Sequence, residues 1–466
     1  MSGLTSVTVD ARHRARRWDA IVVGSGVAAR MAAARVAQQG QRVLLVREAS
    51  AARRPDALHE PFFLAGALAG GVLERALREL KLPLIDRRRI RPEALAYQVV
   101  GPGLRCDVGE AAWTASELVA WGLAKPDEAQ AICCGLLEAT EAELAQMLAA
   151  PLVGAGRRRS RGRTPARELR RGLPAEVARA GAALGRVFAA QVRALGNHAL
   201  RSPGSEACAR LLGAVLAGGA GVEAGSPGLL AMLCRRFEAL YGEVRNVEGR
   251  IDLVHAGAEP GIAVEKTGEL WLGRALVLAA PASRLAPQLV SAGAQRLVLR
   301  DAPAATARRI AGLWNAPRTA LPEGMARRLV LLGGDPAADP QAGVITLALH
   351  ARGPASPQVE IVGRTLALPG EGTPDALARI EARLSALLPF AGPALQRQAE
   401  PTPLWDDDDW LEDGPSGTGW PGEARLRVPG RAPVYRLDRA AVASLGLEGD
   451  LLLGWRAGDA VAAELA

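Results

Sequence analysis

The chain has 466 residues, room for roughly three domain-sized units at ~150 residues each. With 49% apolar and 23% charged residues it has the composition of a globular protein and not of a disordered one. The net charge of +8 suggests a nucleic-acid partner, but all except three of the 57 basic residues are arginine, and Pro151 to Arg210 alone carries 13 basic against 3 acidic residues. Few aromatics accompany that excess, so no nucleic-acid partner is expected.

No apolar run approaches the ~18 residues of a membrane helix; Leu211 to Val222 holds four glycines in twelve residues. The opening MSGLTSVTVDARHRARRW has no hydrophobic stretch behind its charges, so a cytoplasmic protein without a secretory signal is expected. Trp18 to Ser50, WDAIVVGSGVAARMAAARVAQQGQRVLLVREAS, reads as strand, turn, helix and strand. Ala20 to Val23 is a buried-type run, and Ala29, Ala32, Ala33 and Val36 fall at i, i+3, i+4 and i+7 of a helix that Gly40 stops. Val43 to Val46 is a second apolar run. Gly24, Gly26 and Ala29 occupy the three positions of a dinucleotide fingerprint: the first permits the tight turn, the second lets a pyrophosphate approach the backbone, and the third keeps helix and strand close. The flanking strand and helix supply the context that the motif requires. The alternative keeps the turn and drops the ligand.

Further along, RRRSRGRTPARELRR, Arg157 to Arg171, is a like-charge block that reads as a solvated loop, or as a contact for an anionic membrane surface or an acidic protein. Gly225 to Val244 has helical spacing at Leu230, Leu233, Cys234 and Phe237, with Ser226 as cap and Pro227 in the first turn. Glu269 to Leu289 begins as a buried strand. WDDDDWLEDG, Trp405 to Gly414, lacks the spacing of a calcium loop and reads as a solvated acidic loop. The five cysteines, Cys106, Cys133, Cys134, Cys208 and Cys234, have no paired CxxC spacing, and the histidines are scattered. No disulfide framework and no metal site are expected.

These segments together resemble the FAD-dependent oxidoreductases of the phytoene desaturase, amine oxidase and protoporphyrinogen oxidase group. The resemblance implies an α/β fold: a Rossmann-type doubly wound FAD-binding domain assembled discontinuously, with an inserted mixed α+β substrate domain. Its expected boundaries are 1–110, 222–289 and 402–466 for the cofactor fold, 111–221 for a helix-rich insertion and 290–401 for the substrate part. FAD would be held non-covalently, since no cysteine follows Cys234 to make a C-terminal link. Gly24, Gly26 and Ala29 would receive the pyrophosphate, and Val247, near the strand Ile251 to Val254, would contact the adenine end.

The C-terminal LEGDLLLGWRAGDAVAAELA resembles the family's last strand and Gly-Asp turn, in one of two registers, Gly454 with Trp455 or Gly458 with Asp459. The second is preferred because Asp459 can accept a ribityl hydroxyl. The sequence departs from the family at three places. Arg47 stands where a ribose-binding carboxylate is usual, leaving either a shifted Glu48 in that role or an NADP site with Arg47 on the 2′-phosphate. The segment AARRPDALHEPFF lacks the family's Gly-Gly-Arg loop, and only seven residues follow Asp459.

The reading is an oxidoreductase acting on a hydrophobic small molecule, an isoprenoid among the candidates, with catalytic residues unassigned and an apolar tunnel expected. Amine oxidase chemistry is disfavoured because no lysine follows Lys266, although Trp405, Trp410, Trp420 and Tyr435 cluster where an aromatic cage would stand. The competing reading is a scaffold that keeps the fold without the cofactor, its cofactor pocket filled by side chains. A lesser one is an NADP-linked reductase.

Overall fold

The structure is a computed structural model that describes residues 5–6, 14–49, 56–68, 70–149, 173–197, 204–223, 225–249, 251–279, 305–333, 343–351, 353, 356–398, 410–412, 426–428, 432–437, 439, 442 and 445–466. The apolar run before Gly24 is the end of a ten-residue strand, Arg14–Val23. It pairs in parallel with Val43–Glu48 on one side and Glu269–Leu278 on the other, and Glu243–Val247 continues the sheet in parallel beyond Val43–Glu48. Parallel strands are covered on both faces and so read as unbroken apolar runs. Here Ala20, Val22, Val43 and Leu45 enter one core while Ile21, Val23, Leu44 and Val46 enter another. Ile251–Ala256 and Glu259–Val264 extend the sheet in antiparallel fashion, and Val434–Arg436 joins beside the far end of Glu269–Leu278.

The helix after the fingerprint, Val27–Gln38, lies on the first of those cores. Its alanines allow a second helix, Gly446–Leu465, to approach closely. A Cβ on Gly454 would stand 2.4 Å from the Ala28 carbonyl oxygen, and one on Gly458 would stand 2.6 Å from the Arg35 Cβ. Since Gly454 meets Ala28 and Gly458 meets Arg35, the two helices run in the same direction, and the first turns of Gly446–Leu465 extend beyond the start of Val27–Gln38. The neighbour of Gly454 is backbone, which cannot turn aside. Gly454→Ala is therefore expected to lower unfolding free energy by about 2 kcal/mol in urea titrations, and a variant as stable as the parent would contradict this packing.

A second sheet runs in the order Gln396–Arg397, Ala305–Pro317, Gln358–Leu366, Ile345–Ala351, Arg328–Leu331, Leu95–Gly101 and Leu104–Gly109, with Trp410–Glu412 alongside Ala305–Pro317. One face is covered by the helix Thr373–Leu387 around Trp314 and Ile380. The other packs Tyr97, Val99, Ala311 and Val362 against Leu58, Phe62 and Phe63 of the segment after the fingerprint unit. Residues 95–109 thus pair with the substrate-side sheet and not with the cofactor fold to which the expected 1–110 boundary assigned them, because Leu95–Gly101 finds its parallel partner in Arg328–Leu331. Within 111–221 the described elements are chiefly helices: Ala111–Ala120, Pro126–Ala149, Ala175–Arg179, Ala182–Leu195 and Ser205–Leu216.

All five cysteines are free thiols. Burial is the main cause that pushes Cys106, Cys133 and Cys208 up to about 12. Among the described residues no helix is long and apolar enough to cross a membrane, and no group of three or more His, Cys, Asp or Glu could hold a metal ion.

Candidate dinucleotide and substrate sites

Three strand ends and one helix start meet at the carboxyl edge of the first sheet. Gly24 turns the chain out of the sheet with φ +143°, a value that L side chains rarely adopt, while its N–H donates to the Val46 carbonyl at 3.0 Å. Gly26 is the N-cap, with no side-chain cap and no acidic residue in the first turn. The first N–H groups of Val27–Gln38 have no partner within the helix. They point out of the sheet edge with the positive end of the helix dipole, which suits a pyrophosphate.

Arg30 strengthens this preference. It is 6% exposed, and its guanidinium donates to the Ser25 carbonyl at 2.7 Å and to the Leu230 carbonyl at 2.7 Å. A buried cation therefore lies directly behind the fingerprint loop and ties it to the helix Leu229–Ala239. The N-terminus of that helix is satisfied from a distance: Glu60 accepts the Leu229 N–H at 2.9 Å and the Leu230 N–H at 3.2 Å.

Glu48 and Val247 are register partners at the ends of adjacent strands, and the Ala49 N–H donates to the Val247 carbonyl at 2.7 Å. Successive strand side chains point to opposite faces, so Arg47 shares the helix-covered face with Val43 and Leu45, opposite Glu48. Its Nε is buried and has no hydrogen-bond partner among the described residues. Burial raises the nearby Cys234 thiol; Arg30 and Arg47 act against that rise and Glu238 adds to it.

Beyond the fingerprint helix a pocket of about 90 Å³ lies between Val27, the segment Leu58–Phe63 and the second sheet. Its walls are held by arginines. Arg364 donates to the carbonyls of Ala57, Leu58 and Glu60 at 3.2, 3.1 and 2.7 Å. Arg309 donates to Asn197 Oδ1 at 3.0 Å, Asn197 Nδ2 donates to Asp450 at 3.0 Å, and Arg439 places two donors on Asp450 at 2.8 Å each. This chain links the second sheet, the helical insertion and the first turns of Gly446–Leu465.

A second cavity, of about 440 Å³, shares Glu60, Pro61 and Phe62 with the first and continues to Ser226, Arg328 and His350. His350 is held down at about 4, chiefly by burial, then by Arg364 and Arg328, with Glu360 opposing.

Across 96% of this chain and 100% of the other, the structure superposes on putrescine oxidase bound to putrescine, with a TM-score of 0.55 at 14% sequence identity. The shared fold is that of putrescine oxidase. An oxidoreductase from Methanosarcina mazei matches with a TM-score of 0.56 at 13% identity, over 94% of this chain and 99% of its own. No protein-family model matches the sequence, and no curated protein matches it in sequence. At such identities the likeness establishes the fold alone: the α/β architecture expected for the FAD-dependent oxidoreductase group.

The structure brings Gly24, Gly26, Ala29, Arg47, Glu48 and Val247 to one edge. It does not bring Gly458 and Asp459 there. The expected last strand and Gly-Asp turn are instead one continuous helix, Gly446–Leu465, so Gly454 and Trp455 are helical as well. Asp459 accepts from Arg35 at 2.5 Å near the far end of the fingerprint helix. Ser226 does not cap Leu229–Ala239; Gly228 is the N-cap and Glu60 supplies the acceptor. Tyr435 is a core residue hydrogen-bonded to Glu464 and not part of a cage. Arg157–Arg171, Trp405 and Trp420 lie outside the described residues.

FAD has two ends to be held, and the residues treat them differently. The uncapped helix start, buried Arg30 and unpartnered Arg47 Nε fit the adenosine and pyrophosphate end. The pocket beside Val27 and Leu58–Phe63, at about 90 Å³, is below the ~300 Å³ of small ligand pockets. Arg30, Glu60, Arg309, Arg364 and Asp450 were missed by sequence reasoning. Only Arg30 left a local signal, a charge directly after the fingerprint in an alanine-rich helix.

Proposed function

We propose that the chain is an oxidoreductase that holds FAD non-covalently by its adenosine and pyrophosphate end. The observation that supports this best is the fingerprint helix start, with open backbone donors in front of it and the Arg30 guanidinium behind. Gly24 and Gly26 let the phosphates reach the backbone, Ala29 keeps the helix against the sheet, and Arg47 or Glu48 meets the adenosine ribose. FAD, when bound, would supply the electron acceptor. The chain's own contribution is binding and orientation, and ring entry requires the pocket beside Leu58–Phe63 to widen. Charged walls in both cavities suit a compact substrate with a polar group better than a long isoprenoid.

The small volume of the pocket beside Val27 favours a second reading, a protein that keeps the fold without the cofactor. Absorbance of natively purified protein, followed by heat release and identification of any bound cofactor, separates the readings. One FAD per chain, lost in Gly26→Val, is the expected result. Colourless protein that takes up neither FAD nor NADP would leave the second reading. NADP without flavin would place Arg47 on the 2′-phosphate.

A further inference from the structure

We propose that the 440 Å³ cavity between the fingerprint domain and the second sheet is a binding site for a small organic carboxylate with an apolar body. The inference does not rest on flavin binding. It begins with sheet register. Arg328 stands opposite Ala348, Ala348 opposite Val362, and His350 opposite Glu360. Side chains two apart share a face, and diagonal neighbours are within reach of long side chains. Arg328 and His350 are therefore presented together on the face turned toward Phe62, and both line the cavity.

Arg328 is fixed but not used up. Its Nη1 donates to Glu93 and to the Ala96 carbonyl, and its guanidinium lies 5.6 Å from the Phe63 ring centroid. Nε and Nη2 make no hydrogen bond among the described residues and are not buried orphans. That open edge is one of the planar forks that accept a carboxylate through two parallel bonds.

At the Arg328 end of the cavity the charges leave a local excess of one positive charge for a monoanion, although Glu60 and Glu223 balance the lining as a whole. Arg327 and Arg328 share a single carboxylate, Glu93. Glu223 is paired with Arg91, and Glu60 is committed to the N–H groups of Leu229 and Leu230. His350 is neutral at pH 7 and adds no charge to the cavity. The Ser226 hydroxyl, on the opposite wall, has no partner among the described residues. Phe62, Leu64, Val222 and Ala348 supply apolar wall for the rest of the molecule. The volume falls within the ~300–1,000 Å³ range of small-molecule sites.

Calorimetric titration of the purified full chain with hexanoate, hexan-1-ol, hexylamine and inorganic phosphate tests this. Hexanoate is expected to bind at one site per chain, at least about tenfold more tightly than the other three, and Arg328→Gln is expected to weaken it about tenfold or more. Arg328→Lys keeps a cation beside Glu93 but lacks the fork. It is expected to melt near the parent and to bind hexanoate less well, which guards against a failure of Arg328→Gln to fold. In nitrogen-15 histidine spectra, hexanoate should move the His350 ring signals. No hexanoate binding, equal binding of the alcohol, amine or phosphate, or parental affinity in Arg328→Lys would each overturn the proposal. Colourless protein that binds hexanoate would refute only the flavin reading; yellow protein that does not would refute only this one.

Discussion

Arg210→Met is expected to destabilise the protein by about 3–5 kcal/mol, the cost of breaking a buried ion pair from one side. Arg210 and Glu448 are each 2% exposed. Two parallel bonds join them, Nε to Oε2 at 2.9 Å and Nη2 to Oε1 at 2.6 Å. Arg210 also donates to the Thr140 carbonyl, and Glu448 accepts from the Val72 N–H at 3.5 Å. Gly66 makes room for the carboxylate: with φ +69°, a Cβ there would come within 2.4 Å of Glu448 Oε1. Removing the guanidinium strands a carboxylate that water cannot reach. Replacing both partners by apolar residues, Arg210→Met with Glu448→Leu, removes that penalty, so the double variant should recover most of the loss. Urea unfolding of the two single variants and the double variant checks the pattern; a single-variant cost below about 1 kcal/mol would contradict it.

The second large effect is a pH dependence carried by His350. Its folded value of about 4 lies below the usual 6.5, with burial the main cause. As pH falls below 6.5, the unfolded chain takes up a proton that the folded chain refuses. The stabilisation from a neutral His350 is thus fully present above pH 6.5 and is lost as pH falls toward 4. At 1.36 kcal/mol for each tenfold difference in proton affinity, that loss is about 3 kcal/mol. His350→Gln has no proton to refuse there, so its stability profile between pH 6.5 and 4 should be flatter by about this amount. Parallel profiles for parent and variant would show that His350 is not held neutral.

The cradle was legible in the sequence because everything it needs is local. Gly24, Gly26, Ala29 and the apolar runs on either side sit within about thirty residues, and each carries its periodicity openly. The C-terminal helix was misread because Leu451 to Trp455 is a short run without a charge, and a helix buried on most sides looks like a strand at that length. The usable signal was the four-residue spacing of Gly454 and Gly458, which marks one helical face cleared for close packing. Nothing local could reveal the Glu60 cap, whose amide partners lie 169 and 170 residues away. The same holds for Arg309, Arg364 and Arg328, which reach their walls only through sheet register. Arg47 was recognised as a departure, but whether its guanidinium found a partner depended on side-chain packing that composition does not encode.

The close contact of Gly454 with Ala28 also sets a timetable. The alanine face of Val27–Gln38 leaves the ribosome roughly 400 residues before the helix that covers it. At ~5–20 residues per second, that apolar face waits on the order of tens of seconds before its cover exists. The nascent chain is therefore most prone to aggregate through its N-terminal unit, and any chaperone that attends its synthesis should be found there.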